Sequence, residues 1–199
     1  MVQLASRADV ELYTNYQRRC DRAVVEVKRR LLDGEIAGPI KGVCWYSKGM
    51  FNNGSHFLNL LQFWLGEITG CEIIDKGRMW SSRDPEPDFK LFFEIGHIYF
   101  LAAREENFSY HSVELVAANG RLRYETGIIS WQPLVPDTNN AGYIILDSAA
   151  EIIESDPSRL QWYVVDEISK GLNDQPTSIC TGHQGLSTID ILNRILQKL

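Results

Sequence analysis

With 199 residues, 44% of them hydrophobic and 23% charged, the chain is long enough to bury a core and has the make-up of an ordinary soluble domain. A formal net charge of −6 speaks against a protein that grips a phosphate backbone, which calls for a basic surface. No apolar run approaches the ~20 residues of a membrane helix, and no charged-then-apolar leader opens the chain, so neither nucleic acid nor membrane is an expected partner.

The basic run Lys28-Arg29-Arg30 reads as a solvated helix face. Cys20, Cys44, Cys71 and Cys180 are scattered, without a C-x-x-C pair or a histidine at metal-ligand spacing. That usage fits free thiols in a reducing, cytoplasmic setting and offers no zinc site.

In chain order, residues 1–9 look like a helical scrap. Val10–Arg18 alternates Val10, Leu12, Thr14 and Tyr16 against Glu11, Tyr13, Asn15 and Gln17, the pattern of a strand. Asp21 caps a helix with Val24, Val27 and Leu31 on its apolar stripe, and Gly34 ends it. Pro39 stops further helix and Ile40–Tyr46 makes a second strand. Next, Asn52-Asn53-Gly54-Ser55 turns into a helix that buries Phe57, Leu60, Leu61, Trp64 and Leu65 and closes at Gly66.

The period then changes from 3.6 to 2. Strands are predicted at Cys71–Met79, Phe89–Ile95, Ile98–Arg104, Tyr110–Ala117, Arg121–Thr126 and Ile128–Gln132. Asn119-Gly120 signals a type I′ hairpin. The stretches 81–88, with two prolines, and 133–142 read as loops. Asp156-Pro157 starts a helix that buries Leu160, Tyr163, Val164 and Ile168. Pro176 and Gly182 break it, and a last helix presents Ile189, Leu192, Ile195, Leu196 and Leu199.

Helices segregated from a run of antiparallel strands indicate an α+β fold, a mostly antiparallel open sheet with helices on one face. Phe92 sits among the outward positions of its strand, so the open face carries apolar groups too. A second copy covering that face, in a dimer or tetramer, is the expected partner.

The chemistry concentrates in residues 48–67, KGMFNNGSHFLNLLQFWLGE. Asn52 or Asn53 can cap the helix, and His56 near its positive end is expected to stay neutral and able to accept a proton. An isomerase histidine held neutral by a helix start is a precedent for such an imidazole. Asn59 lies one turn on, an i,i+3 neighbour. On the residues alone, the plainer reading is a capping box whose histidine bonds a nearby carbonyl. His97, His111 and His183 have no partner spacing and read as structural or exposed.

The stretch YSKGMFNNGSHFLNLLQFWLGE resembles the signature of the C-terminal domain of the glucose–fructose oxidoreductase/inositol dehydrogenase (Gfo/Idh/MocA) family: an acid, three residues, histidine, two residues and an acid, then a helix ending in Leu-Gly. Upstream, NYQRRCDRAVVEVKRRLLDGEIAGPIKGV is similar to that family's strand, paired arginines, helix and glycine-bounded loop. PTSICTGHQGLSTIDILNRIL is similar to its closing segment. The matches cover nearly the whole chain in order.

The resemblance implies an α+β domain like the C-terminal domain of glyceraldehyde-3-phosphate dehydrogenase (GAPDH), which supplies substrate contacts and an oligomer interface beside a Rossmann domain. It assigns His56 as the acid/base next to the carbon that loses hydride. Arg18, and less firmly Arg19, would meet substrate hydroxyls, with Tyr16, Asn52 and Asn59 as further substrate contacts. Trp131 is a conceivable aromatic platform, though packing at a sheet edge is the plainer role for it.

The departures are as informative. Both family acids are amides here, Asn52 and Asn59, and an amide holds a hydroxyl but supplies no base. The chain has no G-x-G-x-x-G and no Glu-Lys-Pro. Residues 1–9 are therefore expected to be the remnant of a linker from a missing dinucleotide-binding domain, with 10–199 the substrate-binding and oligomerisation domain.

Two functions remain. One is part of an NAD(P)-dependent oxidoreductase acting on a sugar or nucleotide-sugar-like alcohol, inactive as an isolated chain and holding no cofactor itself. The other is a stand-alone, non-catalytic binding or assembly module of the same fold.

Overall fold

The computed structural model describes residues 1–104 and 107–199. Its first half runs α1 (Val2–Arg7), β1 (Tyr13–Thr14), a 3₁₀ turn (Gln17–Cys20), α2 (Arg22–Leu32), β2 (Ile40–Tyr46), a π-helical turn (Gly49–Gly54) and α3 (Ser55–Leu65). Strands follow: β3 (Ile68–Ser81), β4 (Asp84–Phe93), β5 (Gly96–Ala102), β6 (Ser112–Ala117), β7 (Gly120–Glu125), β8 (Ile128–Pro136), β9 (Ile144–Leu146) and β10 (Glu151–Ile153). The chain closes with a 3₁₀ turn (Pro157–Arg159), α4 (Leu160–Leu172), β11 (Cys180–Thr181) and α5 (Gly182–Leu196).

The main sheet has the order β10-β8-β7-β6-β2-β5-β4-β3, with β9 added to β8. All its described pairings are antiparallel except β2 with β5, which lie side by side in the same direction. This is the α+β, mostly antiparallel architecture expected, with α2, α3 and α5 over one face.

Against that covered face β2 alternates strictly. Ile40, Gly42, Cys44 and Tyr46 of β2 point in, between Lys41, Val43 and Trp45 pointing out. The inward rows meet α3, whose Phe57, Leu58, Leu60 and Leu61 are fully buried. Each such side chain contributes about 1.5–3 kcal/mol by leaving water. Val24 and Val27 of α2 and Ile191, Leu192 and Ile195 of α5 complete this core. The α5 stripe departs from expectation, because Ile189 and Leu196 are exposed while Thr188 and Ile191 turn inward.

α4 does not lie on the sheet. Its Tyr163 and Val164 pack with Cys20 and Ile179 in a separate small cluster against the 3₁₀ turn that follows β1. The open sheet face is mixed in character. Trp45 and Val116, 37% and 52% exposed, lie with half-exposed Val43, Phe92, Tyr99 and Leu101 on the strands around β2. Toward β7, Arg121 and Arg123 pair with Glu114 of β6.

Several local expectations need correction. The strand expected over Val10–Arg18 shrinks to Tyr13–Thr14, which pairs only with Cys180–Thr181 in a separate two-stranded sheet. The chain then tightens into the 3₁₀ turn. The loop expected at 81–88 is instead the tip of the β3–β4 hairpin, with Ser81 opposite Asp84. Pro85 and Pro87 fit in β4 because only β3 pairs there, β5 joining from Phe89 onward.

The hairpin at Asn119 exists, but its two turn residues are Ala118 and Asn119, since Ala117 faces Gly120. None of these has positive φ. The left-handed pair sits one hairpin later, at Thr126 (φ 51°) and Gly127 (φ 83°), between Glu125 and Ile128. Asn119 serves a different purpose: its amide accepts from Ala37 N and donates to Glu35 O, fastening the hairpin to the α2–β2 connection. β8 runs past Gln132 to Pro136, into the stretch expected as a loop, and its last three residues pair with β9. Gly182 opens α5, where Thr181 and Gln184 form a reciprocal capping box.

Candidate active site

His56 enters α3 by a route the sequence did not announce. Lys48 takes a left-handed conformation (φ 62°) and Gly49 follows at φ 92°, and the chain winds through a π-helical turn before the regular helix begins. Neither Asn52 nor Asn53 caps the helix. N–H groups of this first turn go to carboxylates on β4 instead: Phe51 N and Asn52 N donate to the two oxygens of Asp84 at 2.8 and 3.0 Å, and Gly49 N donates to Glu86 at 3.2 Å. A Cβ on Gly49 would overlap the Asp84 carboxylate, which explains glycine there. Glu86 is fully buried and pairs with Arg78 at 2.9 Å.

His56 consequently lies a full turn inside the helical segment rather than at its tip. The ring is still neutral at physiological pH, for another reason. Burial pushes its pKa down to about 4, and the Arg18 guanidinium adds to the shift. Its Nδ1 is buried and has no hydrogen-bond partner among the described residues.

Tyr16 meets His56 edge to face, with ring centroids 5.2 Å apart and planes at 81°. The Tyr16 hydroxyl lies beside Ser55, and burial raises its pKa. The 3₁₀ turn then separates two consecutive arginines. Arg18 lies over the Phe57 ring and Arg19 over the Phe63 ring, each 4.5 Å from the centroid. Arg18 also lies near the Tyr124 hydroxyl, and no described carboxylate lies within ion-pairing distance of it.

His111 joins this group from a distant part of the chain. Its ring centroid is 5.2 Å from that of Phe57, burial and Arg18 lower its pKa, and its Nδ1 is likewise buried and unbonded. The structure thus gathers Arg18, Tyr16, His56, His111 and Tyr124 around Phe57. His111, read from the sequence as structural or exposed, and Tyr124 were missed; their contact with His56's neighbours arises from strand pairing and leaves no spacing signal.

The two amides behave differently. Asn52 is exposed, with its Nδ2 donated to Lys48 O at 3.1 Å. Asn59 is 1% exposed and donates to Thr188 Oγ1 at 2.9 Å and to Cys180 Sγ at 3.4 Å, which fastens α3 to α5 and β11. Trp131 is buried in the core, which leaves no face for a ligand. Among the described residues no cluster of three metal-ligating side chains occurs, and no helix is long and apolar enough to cross a membrane. All four cysteines are free.

Chemically, imidazoles held neutral beside a guanidinium with no ion-pair partner among the described residues have the make-up to accept a proton and to steady negative charge on oxygen.

Neither the protein-family models nor the curated proteins contain a match to this sequence. Solved structures do. An NAD binding oxidoreductase from Klebsiella pneumoniae superposes with a TM-score of 0.75 at 13% identity, over 96% of this chain and 65% of that one. An aldose-aldose oxidoreductase from Caulobacter crescentus, complexed with glycerol, gives 0.74 at 14% identity over 98% and 64%. The WlbA dehydrogenase from Bordetella pertussis, in complex with NADH and UDP-GlcNAcA, gives 0.66 at 15% identity over 98% and 64%. The chain shares the fold of the matching part of these oxidoreductases, in line with the fold that the sequence resemblance implied, and it spans less than two thirds of the length of these neighbours.

Proposed function

We propose that this chain is the substrate-binding and oligomerisation domain of an NAD(P)-dependent oxidoreductase acting on a sugar or nucleotide-sugar-like alcohol. The observation that carries the reading is the placement of a neutral His56 imidazole against Tyr16 and the Arg18 guanidinium. In this reading His56 takes the proton of the reacting hydroxyl. Arg18 steadies the oxygen as it gains negative charge, Tyr16 fixes the imidazole, and exposed Asn52 meets a further hydroxyl. Asn59, spent on Thr188 and Cys180, supports the site by holding α3 in place.

The NADH and UDP-GlcNAcA bound by the WlbA dehydrogenase, and the aldose chemistry in the name of the Caulobacter crescentus oxidoreductase, support this choice of chemistry. A nicotinamide cofactor is the hydride carrier of such a reaction. The residues of this chain do not fit one, since the sequence has no glycine-rich strand-to-helix turn to receive a pyrophosphate. We therefore assign residues 1–9 to the connection with a dinucleotide-binding domain and expect 10–199 alone to turn nothing over. The apolar strip Val43–Trp45–Tyr99–Val116 on the open sheet face is assigned to contact with a second copy, in a dimer or tetramer. The free thiols fit a cytoplasmic setting.

A stand-alone binding module is the second reading, favoured by the structural use of both amides at the family's acid positions. Calorimetric titration with NADH, NADPH and a panel of aldoses and nucleotide sugars tests the first. It expects a sugar-class ligand to bind, Arg18→Gln to weaken that binding about tenfold, and neither cofactor to bind. Micromolar cofactor binding, or no response to the whole panel, overturns it.

A further inference from the structure

The two consecutive arginines do not serve one site. Arg18 reaches the His56 group, whereas Arg19 passes to the far side of α3 and lies over Phe63, six residues beyond Phe57. There it borders a cavity of about 500 Å³ between α2, α3 and the start of α5, shared with Lys28, Asn59, Gln62, Phe63 and Ser187.

Arg19 is only 5% exposed, and no described carboxylate lies within ion-pairing distance of it. Among the described residues its Nε has no hydrogen-bond partner, and the Cys180 thiol lies near the guanidinium. A guanidinium taken out of water in this way is costly unless an anion meets it. The Lys28 ammonium approaches the same Phe63 ring, 5.8 Å from its centroid, and has only a long 3.5 Å hydrogen bond to Trp64 O. Its neighbours in the basic run are fully engaged: Arg29 with Glu26, Asp33 and Glu35, and Arg30 with Glu26 and Glu151. Lys28 alone of the three has no carboxylate partner among the described residues.

The cavity holds a second unbonded polar atom. Asn59 Oδ1 is buried without a partner among the described residues, an acceptor on a residue that lines the cavity. Glu67 brings one carboxylate to the lining, against the two fixed cations. Two cations over one aromatic ring, an unmet acceptor and a set of neutral amides and hydroxyls describe a receptor for a small polar anion that also carries a hydroxyl.

We propose that this cavity is a second binding site, separate from the His56 group, for the carboxylate or phosphate of a small polar metabolite, gripped by Arg19 and Lys28.

The test is calorimetric titration of the 199-residue chain with inorganic phosphate and, separately, with malonate, at ionic strength matched by sodium chloride. Saturable millimolar binding of at least one probe is expected; whichever binds tighter identifies the oxyanion group. Arg19→Gln is expected to weaken it at least about tenfold, and Lys28→Gln by a smaller factor. Ser187→Trp, an exposed position at the cavity, is expected to block the probe while leaving the melting temperature in place, so the result does not depend on the folding of the arginine variant. No saturable binding of either probe overturns the proposal. So does binding that Ser187→Trp leaves unchanged, the mark of an adventitious ion only. The titration reads anion uptake and not sugar binding at Arg18, so it fails or succeeds independently of the reading of the His56 site.

Discussion

Arg18 holds its guanidinium 4.5 Å from the centre of the Phe57 ring, the residue next to His56. That one contact puts a positive charge beside two imidazoles, His56 on α3 and His111 ahead of β6, and disfavours protonation of both.

The pH dependence follows from the sign of these shifts. The folded-state pKa of His56, about 4, lies below its ordinary 6.5, so protons bind the unfolded chain first. Its contribution to stability is complete above about pH 6.5 and is lost as pH falls toward 4; His111 acts in the same direction. Urea midpoints measured across this window are expected to drop on acidification, and to drop less steeply in His56→Gln. An imidazole titrating near pH 6.5 by NMR would remove the burial argument. Arg18→Gln is expected to move both histidine midpoints upward.

Asp84 does the capping expected of Asn52 or Asn53. Losing its two hydrogen bonds to Phe51 N and Asn52 N in Asp84→Ala is expected to cost about 1–2 kcal/mol in urea unfolding. Asp84→Asn, which keeps one acceptor, is expected to lose less. Equal stability of all three proteins would show that the π-helical turn needs no cap.

Thr126 at φ 51° is a β-branched residue in a left-handed turn. Thr126→Gly is expected to stabilise by about 0.5–1 kcal/mol by relieving it, and Gly127→Ala to destabilise by a similar amount or more. The opposite order in chemical denaturation would mean that the β7–β8 turn is not type I′.

Asn59→Ala removes the amide that joins α3 to Thr188 and Cys180. It leaves a buried hydroxyl short of a donor, at an expected cost of about 1–3 kcal/mol. A melting temperature unchanged from the parent protein would show that α5 docks without it.

Elements whose signals are local were legible in the sequence. β2 is found at Ile40–Tyr46 as the alternation required, and α3 buries the stripe that its 3.6 period picked out. Elements decided by distant partners were not. Val10–Arg18 alternates like a strand, yet only Tyr13 and Thr14 find a partner, on β11, so the rest is free to turn. Pro85 and Pro87 looked like loop residues because nothing local says that one side of β4 is unpaired there. The site divides the same way: His56 and Arg18 stood out by motif, whereas His111 reaches the group only through the pairing of β6 with β2 and β7.

The most direct test of the proposed role is to follow the His56 imidazole resonances while a nucleotide sugar, and separately NADH, is added to the chain. A saturable shift is predicted with the sugar, lost in Arg18→Gln, and none with NADH. Saturation by micromolar NADH, or silence with every sugar tried, would contradict it.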